Sequence, residues 1–304
     1  MRNILLTIVL SIIIFSCKNE SKPKNGKLNV VTTTSMITDL VQNIGSDKIN
    51  LQGLMGSGVD PHLYKASEGD VTKLANADVI FYNGVHLEGK LVEVFEKMSH
   101  QNMKTIAIAD GLDKSTLIGS ELFQGNYDPH IWFNINYWEQ ATTFIVAKLS
   151  AELPEHKTEF EANGATYLQK LKTLKTKMIS IIETLPKEKR ILVTAHDAFS
   201  YFGRAFEFEV VGLQGLSTAT EAGVQDVQKL AAFIIDKNVK AIFVESSVPK
   251  RTIEALQAAV NSKGHNVQIG GTLYSDALGN AGTIEGTYIG MFEYNVNTIV
   301  NALK

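Results

Sequence analysis

Short apolar runs rich in β-branched residues alternate with stretches that repeat an apolar residue every three or four positions. The short runs predict strands, and the three-to-four periodicity predicts amphipathic helices. In the first half of the chain the predicted strands cover residues 28–33, 49–55, 78–82 and 105–109, and the predicted helices cover 36–44, 71–77 and 91–98. Strands that alternate with helices are typical of βα units around a mostly parallel sheet.

The second half of the chain repeats this alternation. The predicted strands cover 190–195, 208–213, 241–245 and 266–270, and the predicted helices cover 224–236, 250–262 and 283–303. We therefore predict an α/β protein of two lobes, each a mostly parallel sheet flanked by helices.

The longest helical pattern lies between the two halves, from Pro154 to Leu185. Its apolar positions recur at spacings of three, four or seven: Phe160, Tyr167, Leu171, Leu174, Met178, Ile182 and Leu185. Proline is tolerated in the first turn of a helix, and Pro186 marks the stop. At 1.5 Å per residue such a helix reaches about 45 Å, enough to bridge both lobes as one stiff connector. The pattern alone leaves open a long surface helix with no mechanical role.

The N-terminus has the features of an export signal. Arg2 is followed by an almost unbroken apolar run over residues 4–15, which is too short for a permanent membrane anchor. The single cysteine of the chain, Cys17, comes directly after Ser16 and resembles the acylated cysteine of a bacterial lipobox. An ordinary signal peptide cut nearby is the alternative.

Length and composition set the predicted domain division. About 280 residues exceed what one compact core usually holds. The predicted parts are a signal peptide (1–16), a polar flexible tether (17–27), an N-terminal lobe (28–153), a linking helix (154–186) and a C-terminal lobe (187–304). With one cysteine there is no intramolecular disulfide and no multi-cysteine metal site. A net charge of −3 without a Lys/Arg stripe argues against nucleic-acid binding.

One tripeptide occurs twice and uses two of only seven histidines: Asp60-Pro61-His62 and Asp128-Pro129-His130. Each copy follows a glycine-containing loop. Proline fixes its own φ and pushes the preceding residue toward extended conformations. A histidine directly after such a rigid step is presented in one direction, which suits a ligand.

Two further candidates follow strands of the second lobe. His196 comes directly after the run 190–195, and Asp276 lies in a loop after the last predicted strand. Ligands in open α/β sheets collect at the carboxyl ends of strands, so all four residues are expected at one crevice between the lobes. Three imidazoles and one carboxylate suit a transition metal. Asp60, Asp128 and Glu245 are candidates for loop formation or for hydrogen bonds to these ligands, and the remaining histidines are predicted at the surface: His86, His100, His156 and His265.

These motifs resemble those of a bacterial family, the zinc/manganese solute-binding lipoproteins of ABC importers (cluster A-I, TroA-like). The resemblance covers nearly the whole chain after the tether and includes the segments 194–203, 215–218, 267–271, 274–279 and 286–288. It implies one divalent cation held between two lobes that a long helix joins. It also implies that the ligands fall on His62, His130, His196 and Asp276.

The resemblance implies a function as well as a fold. It predicts an extracytoplasmic binding protein, not an enzyme, that delivers Zn²⁺ or Mn²⁺ to an ABC permease and its ATPase. A lipid anchor on Cys17 would hold it, as a monomer, at the membrane on the periplasmic or extracellular face of the cell envelope. An adhesin role has no argument for or against it in the residues.

The identity of the metal stays open at this stage. Zinc-dedicated members often carry a loop rich in His and acidic residues, which this chain lacks. Three nitrogens and one carboxylate nevertheless favour Zn²⁺ over Mn²⁺ in affinity. A metal-dependent hydrolase with the same three histidines is the alternative, although no His-Glu-x-x-His motif is present. A receptor for haem or a corrinoid is a second one, but it would not need four converging ligands.

Overall fold

The computed structural model describes residues 26–119 and 127–304. The predicted signal peptide, Cys17 and most of the tether lie outside the described residues. The first lobe is built on one parallel sheet in the order β2-β1-β3-β4. Its strands are β1 (Leu28–Thr32), β2 (Ile49–Gly53), β3 (Val79–Tyr82) and β4 (Lys104–Ala107). The predicted strands are confirmed, but the second ends at Gly53 instead of residue 55. The fourth ends at Ala107, and a 3-10 turn takes Ile108–Gly111.

Four helices flank this sheet: α1 (Ser35–Gly45), α2 (Glu68–Ala75), α3 (Val92–His100) and α4 (Ile135–Glu152). The first three were predicted. The fourth was missed because its first half mixes aromatic and β-branched residues, which have only modest helix propensity. Its start is fixed by Asn134, whose side-chain oxygen accepts a hydrogen bond from the N–H of Asn136 at 2.9 Å.

The long connecting helix, α5 (Lys157–Ile182), has 26 residues and follows a 3-10 turn at Pro154–His156. It is about 39 Å long. The buried stripe includes six of the seven predicted apolar positions and also Gly164. The seventh, Leu185, is buried just after the helix ends at Ile182. A Cβ at Gly164 would lie 2.4 Å from a methyl group of Val146 on α4, so glycine allows the two helices to pack closely.

The second lobe follows α5 and contains two parallel strand pairs that lie side by side. Its strands are β5 (Ile191–His196), β6 (Glu209–Gln214), β7 (Ala241–Glu245) and β8 (Gln268–Leu273), and its helices are α6 (Ser200–Phe206), α7 (Val224–Asp236), α8 (Arg251–Asn261) and α9 (Tyr288–Leu303). The helix α6 was not predicted. The predicted start of the last helix at residue 283 was wrong, because Thr287 caps it by accepting a hydrogen bond from Gly290 N–H at 3.1 Å.

The helix α5 reaches elements of both lobes. Near its start, Asn163 donates a side-chain hydrogen bond to the carbonyl of Ile44 in α1 at 2.9 Å. Near its end, Lys177 pairs with Glu293 of α9 at 2.8 Å. The prediction of a helix that bridges the lobes is thereby confirmed.

The lobes also share one hydrophobic core. At its centre the ring of Phe133, from the first lobe, lies 4.3 Å from that of Phe199, from the second. Trp138 on α4 stacks on Tyr288 of α9 with ring centroids 4.9 Å apart. Buried aromatic side chains of this size contribute strongly to packing. The two lobes are therefore packed together beneath the crevice, not joined by the helix alone. In the described part of the chain, no helix combines the length and hydropathy needed to cross a bilayer.

Candidate metal centre

The four predicted ligands come together at the bottom of the crevice. Ligand atoms of His62, His130, His196 and Asp276 all lie within 4.8 Å of one another. All four side chains are buried, and the most accessible of the four residues, His62, is 5 % exposed. Two of them belong to the first lobe and two to the second.

Their spacing matches a single small ion. Nε2 of His62 lies 3.3 Å from Nε2 of His130, and Nε2 of His196 lies 3.3 Å from Oδ2 of Asp276. The other recorded separations are 3.6 Å, from His130 Nε2 to Asp276 Oδ1, and 3.9 Å, from His62 Nε2 to Asp276 Oδ2. A tetrahedral ion with bonds of about 2.0–2.1 Å places neighbouring ligand atoms about 3.3–3.4 Å apart. The cluster can therefore close on one ion with small adjustments.

The four ligand candidates occupy two kinds of position, turns in the first lobe and strand ends in the second. His62 lies in a turn after β2, and His130 precedes a 3-10 turn at Ile131–Phe133. His196 is the last residue of β5, one position inside the strand that we predicted to end before it. Asp276 lies three residues after β8. The ends of β5 and β8 place His196 and Asp276 as the sequence predicts. His62 and His130 come from turns that lie farther from the strands of the first lobe.

Two of the imidazoles are hydrogen-bonded to carboxylates through Nδ1, the ring nitrogen that does not face the cluster. Oδ1 of Asp128 accepts hydrogen bonds from the backbone N–H of His130 at 2.9 Å and from its Nδ1 at 2.7 Å. Glu245 does the same for His196, with Oε1 2.9 Å from the backbone nitrogen and Oε2 2.6 Å from Nδ1. A carboxylate at Nδ1 keeps the proton on that nitrogen and leaves the Nε2 lone pair for a metal. Asp60 accepts the backbone N–H of His62 at 2.8 Å.

Two atoms at the centre have no hydrogen-bond partner although they are buried. They are Nε2 of His196 and Oδ1 of Asp276. Buried polar atoms are nearly always satisfied, and an unsatisfied one costs free energy. A divalent cation among the four side chains would satisfy both atoms at once, so the donor set fits such an ion.

Burial and mutual charge shape the protonation of the cluster. Burial lowers the pKa of His62 to about 3, although the Asp276 carboxylate acts in the opposite direction. Burial would raise the pKa of Asp276, but the surrounding imidazoles, His196 first, hold it below its ordinary value. Burial would likewise lower the pKa of His196, but Glu245 and Asp276 raise it well above 6.5. Without a metal, a proton on His196 therefore faces an ionised Asp276.

Sequence reasoning missed the residues that join the ligand loops. Ser247 contacts both Ser275 Oγ, at 2.8 Å, and Asp276 Oδ2, at 3.5 Å. Trp132, Tyr201 and Thr218 make contacts over long sequence separations that no local pattern reveals. Asp128 and Glu245, weighed from the sequence as partners of ligands, do lie against ligand histidines. His86 and His100 are exposed. His156 and His265 are half-buried, and their rings contact Glu159 and the carbonyl of Val239, which are not part of the cluster.

Several proteins that resemble this chain in sequence and architecture are named for metal binding or metal uptake. The family described as zinc-uptake complex component A, periplasmic (ZnuA), matches residues 30–302. The zinc-binding protein TroA of Treponema pallidum is 49 % identical over 279 residues, which are 92 % of this chain and 90 % of the relative. The solved structure of the periplasmic zinc-binding protein TroA covers 91 % of this chain and 99 % of its own, with a TM-score of 0.89 and 49 % identity.

Two lipoproteins extend the comparison. The manganese-binding lipoprotein MntA of Bacillus subtilis is 46 % identical over 291 residues, 95 % of this chain and 94 % of the relative. The metal ABC transporter substrate-binding lipoprotein FimA of Streptococcus parasanguinis is 32 % identical over 294 residues, 94 % of this chain and 93 % of the relative. The match to the solved structure confirms the predicted fold of two α/β lobes and a long helix.

Proposed function

The chain belongs to the ZnuA family of periplasmic zinc-uptake components, and on that premise we propose that it captures one divalent transition-metal ion and delivers it to an ABC permease. The observation that carries the proposal is the convergence of three imidazole nitrogens and one carboxylate, all buried, around two atoms without hydrogen-bond partners. The proposed ligands are His62, His130, His196 and Asp276. The ion is cargo, not a cofactor for a reaction.

The two lobes share the proposed site equally. The first lobe provides His62 and His130, and the second provides His196 and Asp276. An ion that binds all four therefore bridges the lobes and stabilises their closed arrangement. A permease can then distinguish a loaded protein from an empty one by the order of the loops around the site, while the ATPase supplies energy on the other side of the membrane. The division into lobes at 28–153 and 187–304, with 154–186 as the link, is part of this proposal.

The membrane anchor is proposed to be a lipid on Cys17. The relatives MntA and FimA are named as lipoproteins, and Cys17 stands where a lipobox cysteine would be. Two or more acyl chains hold a protein stably at a bilayer, whereas one chain does so only marginally. The protein would then work as a monomer at the cell envelope, close to its permease.

We propose that Zn²⁺ binds more tightly than Mn²⁺, although either can be accepted. TroA is named for zinc and MntA for manganese, so relationship alone does not separate the two metals. Three nitrogens with one carboxylate at near-tetrahedral spacing suit Zn²⁺, and the Irving–Williams order places Mn²⁺ below it. Both oxygens of Asp276 face imidazole nitrogens, which would allow the higher coordination number that Mn²⁺ prefers.

The hydrolase alternative has no support. Catalytic zinc sites keep a coordination position open for water, whereas the four proposed ligands would complete a tetrahedral shell. The family and the relatives are binding proteins.

Elemental analysis of the purified protein, followed by competitive titration with Zn²⁺ and Mn²⁺, tests the proposal. One equivalent of metal per chain, with Zn²⁺ displacing Mn²⁺, is the expected result. A chain that binds neither metal stoichiometrically would overturn the proposed function, and a chain that prefers Mn²⁺ would overturn the assignment of the metal.

A further inference from the structure

A hydrogen bond at the rim of the crevice joins the two lobes beside one ligand. The hydroxyl of Thr218 donates to Oδ2 of Asp60 at 2.5 Å, although the two residues are 158 positions apart in the sequence. Thr218 belongs to the loop 215–223 between β6 and α7 of the second lobe. Within that loop Thr218 is 7 % exposed, whereas Ala219 and Thr220 beside it are exposed.

The same carboxylate also holds a ligand. While Oδ2 of Asp60 accepts from Thr218, its Oδ1 accepts the backbone N–H of His62 at 2.8 Å. The segment before Asp60 lies against the second lobe as well, because a Cβ on Gly58 would be 3.5 Å from the carbonyl oxygen of Ser246. A movement of the loop 215–223 away from the first lobe would therefore remove one of the contacts that fix Asp60, and with it His62.

His62 differs in this respect from the other two imidazoles. The rings of His130 and His196 donate hydrogen bonds from Nδ1 to Asp128 and Glu245. Each carboxylate belongs to the same lobe as its histidine. Asp60 contacts His62 at the backbone and is itself held across the crevice. His62 is also the most accessible of the four ligand candidates. Of the four, it is the one whose position depends on a contact at the rim.

Contacts deeper in the crevice are better protected from water. Trp132 Nε1 donates to Ser275 O at 2.9 Å, and Tyr201 Oη donates to Asp128 O at 2.9 Å. All four of these residues are at most 1 % exposed. Loops that expose their backbone to water open at lower free energy than buried elements. The hydrogen bond between Thr218 and Asp60 is thus expected to break before the buried hydrogen bonds of Trp132 and Tyr201 do.

We propose that Thr218 is a positioning residue that latches the loop 215–223 over His62 and sets the lifetime of the bound ion. Opening of the latch frees Asp60 and lets His62 leave the ion first, while His130, His196 and Asp276 stay in place. The inference rests on the proposed function, because it concerns the release of the metal that the site captures.

Release kinetics of the full chain loaded with Zn²⁺ test the latch. The loaded protein is mixed with excess chelator, and the release rate is measured where it no longer depends on chelator concentration. Thr218→Val keeps the shape but loses the donor, and it should release Zn²⁺ about tenfold faster, the size of effect expected for a hydrogen bond to a charged group. Thr218→Ser keeps the donor and should stay within about twofold of the unchanged protein. Thr220→Val, the same change at an exposed position of the same loop, should have no effect.

Absorption of the Co²⁺-loaded variants separates a latch from a damaged site. All three variants should give the d–d spectrum of the unchanged protein, since the latch affects lifetime and not coordination. Equal release rates for Thr218→Val and the unchanged protein would overturn the proposal, as would equal acceleration in Thr220→Val. If Thr218→Val does not fold, Thr218→Ala takes its place with the same expectation. Failure of the unchanged protein to load Zn²⁺ at all would instead contradict the proposed function.

Discussion

Trp132 donates its indole N–H to the backbone carbonyl of Ser275 at 2.9 Å, and this bond ties two ligand loops together. Trp132 comes two residues after His130, and Ser275 comes directly before Asp276. The hydroxyl of Tyr288 donates to the carbonyl of Trp132 at 2.7 Å and holds the loop from below. The distance between one ligand of each lobe is thus fixed by a buried hydrogen bond before any metal arrives.

Replacement of this indole should weaken both the fold and the metal site. We expect Trp132→Phe to lower the free energy of unfolding by about 1–3 kcal/mol, because the carbonyl of Ser275 is left without a donor. Affinity for Zn²⁺ should fall about tenfold, as for other residues that orient metal ligands. Urea unfolding of the metal-free protein and competitive Zn²⁺ titration measure the two effects.

Trp138→Phe is the matched control. Trp138 is equally buried, but its indole faces Tyr167 in the shared core, not a ligand loop. This variant should lose stability and keep its affinity for Zn²⁺. Equal losses of affinity in the two variants would contradict a specific role for the bond between Trp132 and Ser275.

Loss of a negative charge behind His196 should weaken metal binding with little change in the fold. Glu245→Gln keeps a side chain of the same shape and one acceptor oxygen, but it removes the charge that makes the imidazole a better donor to a metal. The expected loss of Zn²⁺ affinity is about 10–100-fold. Glu254→Gln, on the exposed side of α8, makes the same chemical change away from the site and should bind normally. Isothermal titration on both variants makes the comparison, and unchanged affinity in Glu245→Gln would count against the role assigned to Glu245.

Removal of a ligand should have the largest effect of all. In His130→Ala the ion loses a nitrogen donor, and the carboxylate of Asp128 loses its hydrogen bond to the imidazole. Zn²⁺ affinity should fall by more than the 10–100-fold expected for a hydrogen-bond partner of a ligand. His100→Ala, at an exposed position on α3, is the control. Retention of tight, stoichiometric Zn²⁺ binding by His130→Ala would remove His130 from the proposed ligand set.

The sequence was sufficient to predict features that depend on local pattern. The strands, most helices and the stripe along α5 follow from periodicity. The placement of His196 and Asp276 follows from their position at strand ends, whereas His62 and His130 were indicated by the repeated tripeptide. The helix α4 was missed because its residues have mixed propensities and tertiary packing decides its conformation. Glycine has low helix propensity, yet Gly164 lies inside α5 and allows α4 and α5 to approach.

Contacts between residues far apart in the sequence could not be predicted from local sequence patterns. Nothing near Trp132 indicates Ser275, 143 positions away, and nothing near Asp60 indicates Thr218. Such pairs depend on how the two lobes are placed, which follows from the packing of the whole shared core. The carboxylates of Asp128 and Glu245, which accept hydrogen bonds from ligand histidines, could be predicted in part. Asp128 lies two residues from its histidine and was suggested by the tripeptide, whereas Glu245 lies 49 positions from His196 and was suggested only by its place at a strand end.

Acid should weaken metal binding, and protonation of His196 is one cause that the structure identifies. Without metal, the pKa of His196 lies well above 6.5, whereas that of His62 lies at about 3. Between pH 7 and pH 5, His62 is therefore already neutral, and His196 must release a proton for its Nε2 to bind the ion. One proton released per ion lowers the apparent affinity about tenfold for each unit of falling pH.

Isothermal titration in buffers of different ionisation enthalpy counts these protons. We expect at least one proton released per Zn²⁺ at pH 6, from His196, since the carboxylate of Asp276 is already ionised. The affinity should then drop at least about a hundredfold from pH 7 to pH 5. An affinity that does not change across this interval would rule out a site in which His196 exchanges a proton for the metal.

Release of the metal should involve little rotation of the lobes. The helix α5 joins the lobes as one unbroken element, which can bend but cannot hinge widely without loss of backbone hydrogen bonds. The shared aromatic core and the bond from Trp132 to Ser275 oppose a wide opening as well. We therefore expect solution scattering of the metal-free and Zn²⁺-loaded protein to give nearly the same overall shape. Hydrogen exchange should instead speed up without metal in the loop 215–223 and in the residues after Asp276, where opening costs least. A rotation of several tens of degrees between the lobes, with uniform exchange in those loops, would contradict this account of release.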